Sequence, residues 1–338
     1  MALKRISIDT SKHVFALHGV DEQDRLVLRH ELRRSQVAGF FTRLTPVEVA
    51  LEACAGSHHW GRVLSGLGHR VRLIPPQYVK PFVKRGKNDH KDAAAIDAAA
   101  SRPTMPEVVV KSADEQAATM ILKHREMLVG QRTQAINALR GHAAEFGVVV
   151  AKGTAKVAAL LAVLASEAGV PAAAKAMFAA MGAHIAALDT KIVALDRELA
   201  AAHKADPVSR RLAAIPGVGP LIAITMALSV NPTQFESGRH FAAWLGLTPK
   251  EHSTGGKRRL GGISKAGTTR LRRLLVVGAM AVIRHARPDR GTPSAWLTGL
   301  LARRPRKVAA VALANKIARV IWAMMARGEA YRRSPIAA

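Results

Sequence analysis

The chain of 338 residues has a single cysteine, Cys54, which excludes an intrachain disulfide and any cysteine-rich zinc site. Aromatic residues make up only 4% of it, too few for recognition built mainly on base-stacking platforms. Acidic residues are scarce as well: 24 Asp and Glu stand against 51 Lys and Arg, a formal net charge of +27. An imbalance of that size implies a polyanionic partner. Nucleic acid fits better than an anionic membrane surface, because the cations are spread over every segment. No uninterrupted apolar run reaches the roughly 18 residues of a spanning helix, and the N-terminal MALKRISIDTSK has no apolar signal core. The expectation is a soluble, cytoplasmic, nucleoid-associated protein with no membrane partner.

What is present is enough apolar residue, 49%, for packed cores and a length that suits more than one domain. Residues 4–32 read as three short strands, KRISIDTS, VFALHGV and LVLRHEL, with Ile6 and Ile8 alternating against polar neighbours and a turn in DEQD. A helix through SQVAGFFTRL, a strand in VEVALEAC, a helix through HHWGRVLSGLG and a strand in HRVRLIPP follow, which predicts a mixed sheet covered by helices. Asp9 ends the first of these strands and Glu52 the fourth, where an unpaired carboxylate would be costly to bury. Asp89 and Asp92 open the alanine-rich helix of KNDHKDAAAIDAAA and share one face of it. If that face packs over the strand ends, four carboxylates converge, and hard oxygen ligands of that kind select Mg²⁺ or Mn²⁺. The alternative is that Asp89 and Asp92 serve the helix dipole and Glu52 caps the next helix. Asp97 lies off the face of Asp89 and Asp92 and is expected at the surface.

From Ser112 the pattern turns helical. A capping Ser112 with Glu115 opens a long amphipathic helix to about residue 147, and Ile185, Leu188, Ile192, Leu195 and Leu199 follow coiled-coil spacing in a second. That seam packs either on the first helix or on another subunit, so a homo-oligomer, from dimer to tetramer, is an open expectation. Beyond the turn DPVSR, IPGVGP between apolar helices reads like a helix-hairpin-helix, in which Gly217 and Gly219 offer backbone N–H groups to a DNA phosphate. KEHSTGGKRRLGGISK, residues 250–265, combines Ser253 and Thr254 with four glycines and with Lys257, Arg258, Arg259 and Lys265, a set suited to a phosphate. A solvated basic loop is the plain alternative. Arg270, Arg272 and Arg273 follow in the first turns of a helix, where cations oppose the dipole and call for an anion. The basic amphipathic tail helix, with Val308, Val311, Ile317, Val320, Ile321 and Met324 on its apolar face, is expected to close a core.

Taken in order, SIDTSK, ALEACAG, KNDHKDA, IPGVGP, FAAWLGLTP, HSTGGK and ISKAG resemble the insertion-sequence transposases that join an N-terminal RuvC-like DEDD domain to a C-terminal serine-containing transposase domain. The resemblance spans nearly the whole chain. It implies an RNase H-type α/β domain at 1–110, a helical coiled-coil linker at 111–208 and a mainly α transposase domain at 209–338. It places the acidic tetrad on Asp9, Glu52, Asp89 and Asp92. Counting back from ISKAG places the nucleophilic serine on Ser253; counting forward from GLTP lands on Thr254. It further implies recombination of donor and target DNA guided by a noncoding bridge RNA.

The chemistry this would require is attack of a serine hydroxyl on a phosphodiester, with the hydroxyl activated and the pentavalent centre neutralised by divalent cations and by basic residues. Serine and tetrad lie far apart in sequence and can come from different subunits. Two other readings remain at this point. One is a metal-only, junction-resolving nuclease with water as nucleophile; the other is an architectural nucleic-acid-binding protein with purely structural carboxylates.

Overall fold

A computed structural model describes residues 3–84, 86, 88–285 and 294–332. The chain divides into two compact units, 1–116 and 117–338, with the boundary inside one long helix.

In the first unit β1 (Arg5–Asp9), β2 (Val14–Val20) and β3 (Leu26–Arg33) form an antiparallel meander. After α1 (Val37–Thr42), β4 (Glu48–Glu52) joins the other side of β1 in parallel. After α2 (Ser57–Gly66), β5 (Arg70–Ile74) joins β4 in parallel, giving the order β3-β2-β1-β4-β5. A short α3 (Pro76–Val79) leads to α4 (Asp89–Ala100), which lies against β1, β2, β4 and β5. The two-residue alternation of a strand decides what each face holds. Ile6, Ile8, Val49 and Leu51 point into a core with Phe15, Leu17, Phe41, Trp60 and Leu64. The intervening positions include Ala50, which packs with Ile96, Ala99 and Ala100 of α4. Small side chains on α4 let the helix approach the sheet closely, so even polar partners there are buried.

One of those partners corrects the sequence reading. Asp97 is not a surface acid: it is only 7% exposed. Its carboxylate accepts hydrogen bonds from Arg5 Nε (2.8 Å) and Nη2 (3.3 Å) and from Ser7 Oγ (3.1 Å). Arg72, also buried, donates to Glu107, Glu48 and the Ala100 carbonyl oxygen. Both arginines sit on strand positions that alternation assigns to the α4 side, which is why acids must meet them there.

In the second unit α5 (Ala113–Glu145), α6 (Val157–Ser166) and α7 (Ala172–Ala205) come first. Arg125 pairs with Asp196 and Arg132 with Asp189, a register that runs α5 and α7 antiparallel. The expected seam packs within the chain: Leu188 and Ile192 meet Leu128, Leu199 meets Leu122, and Ile185 joins Ile136 and Leu139. DPVSR is not a free turn. Asp206 caps α8 (Pro207–Leu212) through the Ser209 amide. Then come α9 (Pro220–Ser229), α10 (Gly238–Trp244), strands β6 (Pro249–Glu251) and β7 (Leu260–Ile263), α11 (Thr269–His285), α12 (Ala295–Arg303) and α13 (Arg306–Arg327). A core of Leu212, Ile222, Met226, Phe241, Leu271, Leu275, Ile317 and Ile321 joins the helices of this part, with β6 and β7 outside it.

On α13 the buried face is Ala309, Ala310, Ala314, Ile317, Ile321 and Met324, whereas Val308, expected on it, is 51% exposed. Among the described residues two helices, α7 and α13, are long and apolar enough on average to cross a membrane, although neither is an uninterrupted apolar run. Each spends apolar residues on a protein core, α7 on α5 and α13 on α11.

Candidate active site

Two sites emerge, one in each unit. In the first, Asp9 and Glu52 finish adjacent parallel strands, one position beyond the Ile8–Leu51 pair. Alternation turns both away from the Ile8 core and toward α4. Asn88 caps α4 by accepting from the His90 amide, which sets Asp89 and Asp92 in its first turn. One oxygen each from Asp9, Asp89 and Asp92 falls within a set whose members are all within 4.8 Å of one another. Burial, then the charges of Asp92, Asp89 and Glu52, push the Asp9 carboxyl up to about 6. Burial and the Asp92 charge raise that of Glu52 too, so the fourth acid borders the group although it lies outside the tightest set.

Among the described residues none of these four acids forms an ion pair with an Arg, Lys or His of the chain. An all-oxygen donor set in which neighbouring carboxylates raise the proton affinity of Asp9 and Glu52 fits a hard divalent cation, which would offset that repulsion. The nearby histidines are spent otherwise. His90 pairs with Glu31 at 2.9 Å, and His58 Nδ1 accepts from the Lys111 amide. Lys87, the first residue of KNDHKDA, lies outside the described residues.

In the second unit, residues 250–265 are not a plain loop but a small antiparallel hairpin of β6 and β7. Gly255 (φ +55°) and Gly256 (φ +74°) supply the left-handed turn between Thr254 and Lys257, whose amide donates to the Thr254 carbonyl at 3.0 Å. Ser253 sits just before this turn, exposed; its Oγ donates to Glu251 Oε1 at 2.9 Å and accepts from the Arg259 amide at 3.1 Å. Glu251 was not singled out from sequence; its signal is the two-residue spacing on an extended segment. Lys257, Arg258 and Arg259 are exposed in and just after this turn, whereas Lys265, also exposed, sits at the hairpin's base, where its amide donates to the Gly246 carbonyl oxygen.

The hairpin's base is held tightly. Gly246 (φ +70°) and Gly267 (φ +64°) cross where a Cβ would lie 2.4 Å from the Ala266 nitrogen and 1.9 Å from the Trp244 oxygen, respectively. Arg272, buried, donates to the Leu245 and Ala266 carbonyl oxygens, so its role is to tie this base and not to meet an outside anion. Asn315 adds a hydrogen bond to the Leu247 carbonyl oxygen. Arg273 has an anion inside the fold, Glu126 of α5 at 2.8 Å, which Arg270 approaches at 4.0 Å. Burial lowers the Arg270 pKa, and its Nη1 has no hydrogen-bond partner. Gly217 (φ +87°) is pressed against α11, its added Cβ falling 2.8 Å from the Gly278 oxygen, while Gly219 is the exposed residue that precedes α9.

Carboxylates at the ends of central strands suit divalent cations, and an exposed hydroxyl among cations suits phosphate; together they mark an enzyme acting on nucleic-acid phosphodiesters. Comparison with known proteins narrows this. Residues 6–147 match the DEDD model of IS110-type sequences described as "Transposase", and residues 209–292 match that of the "Transposase IS116/IS110/IS902 family". The chain is 51% identical over 332 residues to the y4pF/y4sB protein of Sinorhizobium fredii (strain NBRC 101917 / NGR234), covering 98% of this chain and 86% of that one. It is 40% identical over 333 residues to the transposase for insertion sequence element IS1111A of Coxiella burnetii, covering 98% and 92%. With the transposase for insertion sequence element IS1328 of Yersinia enterocolitica it shares 37% over 329 residues, covering 97% and 98%. The chain belongs to the IS110/IS116 family of insertion-sequence transposases, enzymes that cut and rejoin DNA.

Proposed function

We propose that this transposase breaks and rejoins DNA through a covalent 5′-phosphoserine at Ser253, with Asp9, Glu52, Asp89 and Asp92 holding Mg²⁺ or Mn²⁺. The convergence of Asp9, Asp89 and Asp92, with no cation of the chain paired to them among the described residues, is the observation that carries the reading. Bound there, the cation supplies positive charge to the phosphoryl centre and lowers the cost of ionising the attacking hydroxyl. The Ser253 Oγ–P bond forms as the P–O3′ bond breaks, the serine proton leaves toward a base, and the 3′ oxygen departs as a hydroxyl after taking up a proton. Attack by a 3′-hydroxyl of another strand reverses the steps, so rejoining needs no ATP. Lys257, Arg258, Arg259 and Lys265 neutralise the phosphate.

In this reading 1–110 is the RuvC-like acid domain, 111–208 the linker and 209–338 the serine domain. Gly217, Gly219, Arg270 and Arg273 contact nucleic-acid backbone, Arg270 and Arg273 by exchanging Glu126 for phosphate. A bridge RNA and a dimer-to-tetramer assembly complete it; the net charge of +27 supports a large polyanionic load of this kind.

The test is a denaturing-gel assay for a protein–DNA adduct, with labelled element-end DNA, the RNA transcribed from it and Mg²⁺. An adduct that survives Thr254→Ala but vanishes in Ser253→Ala and Asp9→Ala is the expected result. Cleavage without any adduct, indifferent to Ser253→Ala, overturns the serine mechanism in favour of a water nucleophile.

A further inference from the structure

At the same end of the sheet as Asp9 lies a pocket of about 640 Å³ that the tetrad does not use. The turn leaving β1, the end of β3 and the first turn of α2 border it, and its lining includes Lys12, Arg33, Arg34, Ser35, His59 and Trp60. No carboxylate lines it, and among the described residues Lys12, Arg33 and Arg34 have no acidic partner. Such a concentration of like charge opposes folding unless an anion enters.

Arg34 is arranged by aromatic packing: its guanidinium lies 5.3 Å from the Trp60 ring centre and 5.8 Å from that of Phe15. Stacking fixes the plane of the fork and leaves its edge N–H groups for an acceptor. The same stack covers the indole face, so the pocket cannot use Trp60 as a platform for a base. Trp60 itself is 5% exposed, and its buried indole N–H has no hydrogen-bond partner.

We propose that this pocket binds backbone phosphates of the DNA strand that runs into the acid group, without reading sequence. The proposal rests on Asp9, Asp89 and Asp92 being where DNA is cut. Lys12 is three residues past Asp9, so their Cα atoms are at most about 11 Å apart. At roughly 3.4 Å of rise per nucleotide, that is about three nucleotide steps along a strand. Three separated cations around an open pocket suit a run of phosphates better than one small anion, and DNA is the polyanion on which this family acts.

The test is fluorescence anisotropy of labelled duplexes on the full chain, in EDTA so that no cleavage intervenes, over a salt titration. Each phosphate contact contributes about 0.9 to the slope of log affinity against log salt. Lys12→Gln/Arg33→Gln, which leaves the Arg34 stack intact, is expected to reduce the slope by about 1.8, and addition of Arg34→Gln by about 2.7, equally for unrelated sequences. The control removes the same charge at the opposite end of the sheet, as Lys4→Gln/Arg25→Gln/Arg70→Gln. An unchanged slope in the pocket variants, or an equal reduction in the control, overturns the proposal. So does weakened binding of an RNA of equal length with DNA binding intact. Because no metal or adduct is involved, a reduced slope alongside a failed adduct assay keeps the subsite while discarding the serine chemistry.

Discussion

Replacing Asp97 with alanine is the sharpest test of how the first unit holds its acids. Asp97 sits on α4 about two turns beyond Asp89 and about one and a half beyond Asp92, and its partners Arg5 and Ser7 sit on β1, the strand that ends in Asp9. Its carboxylate therefore ties the helix that bears two of the acids to the strand that bears a third. Arg5 is 3% exposed, so deletion of its main partner leaves a guanidinium that cannot return to water. Breaking a buried pair from one side costs about 3–5 kcal/mol. The lower end, about 3 kcal/mol, applies because Arg5 keeps Asp24 at 2.9 Å and Glu48 at 3.8 Å. In urea, with a slope of about 2 kcal/mol/M, that moves the midpoint down by about 1.5 M. Hydrogen exchange of the α4 amides reports on the first unit alone and should rise in step. Replacing both partners, Arg5→Met with Asp97→Leu, removes the stranded charge and should recover most of the loss. A cost below about 1 kcal/mol for Asp97→Ala, or a double variant as unstable as the single one, would refute the argument.

Other perturbations probe the two sites separately. The Asp9 carboxyl, raised from 3.8 to about 6, favours folding fully below pH 4 and loses that contribution as pH rises through 6. Metal-free chain should thus melt at progressively lower temperature across this interval, millimolar Mg²⁺ should restore the loss at pH 8, and Asp9→Asn should flatten both effects in a thermal-shift series. Gly267→Ala places a Cβ 1.9 Å from the Trp244 oxygen at φ +64°, so the base of the serine hairpin must open. A loss of about 3 kcal/mol or more is expected in the second unit. Adduct formation should disappear while Mg²⁺-dependent stabilisation of the first unit persists.

The sheet was legible because alternation is strict where one face is apolar: Ile6 and Ile8 against Ser7 and Asp9 fixed both the strand and the side on which the acids stand. The partner of Asp97 was not, since Arg5 lies 92 positions away and nothing local distinguishes a buried acid on an alanine-rich helix from a solvated one. Alanines at 93, 95, 99 and 100 are strong helix formers; their second effect is to bring α4 close enough to bury whatever lies between them. The serine hairpin was hidden because β6 and β7 are three and four residues long, exposed and rich in glycine, so they carry no hydrophobic period. By spacing alone Arg272 is indistinguishable from Arg270 and Arg273. Only the carbonyl oxygens of Leu245 and Ala266 separate it from its neighbours.

Charge accounting across the fold gives the strongest internal argument for where chemistry resides. With 51 basic residues and 24 acidic ones, almost any acid has a cation available to it. Several take one: Asp97, Asp24 and Glu48 meet Arg5, Glu107 meets Arg72, Asp196 and Asp189 meet Arg125 and Arg132, and Glu126 meets Arg273. Asp9, Asp89 and Asp92 instead crowd together, bordered by Glu52, with the neighbouring charges raising the cost of ionising Asp9 and Glu52, and take no cation of the chain among the described residues. A fold under no other demand would relieve that repulsion with one of its surplus arginines or lysines. Its persistence in so basic a chain is what a site kept open for a divalent cation requires. Conversely, Lys12, Arg33 and Arg34 and the cations of the serine hairpin have no acidic partner among the described residues, and a phosphate would supply the missing counter-charge.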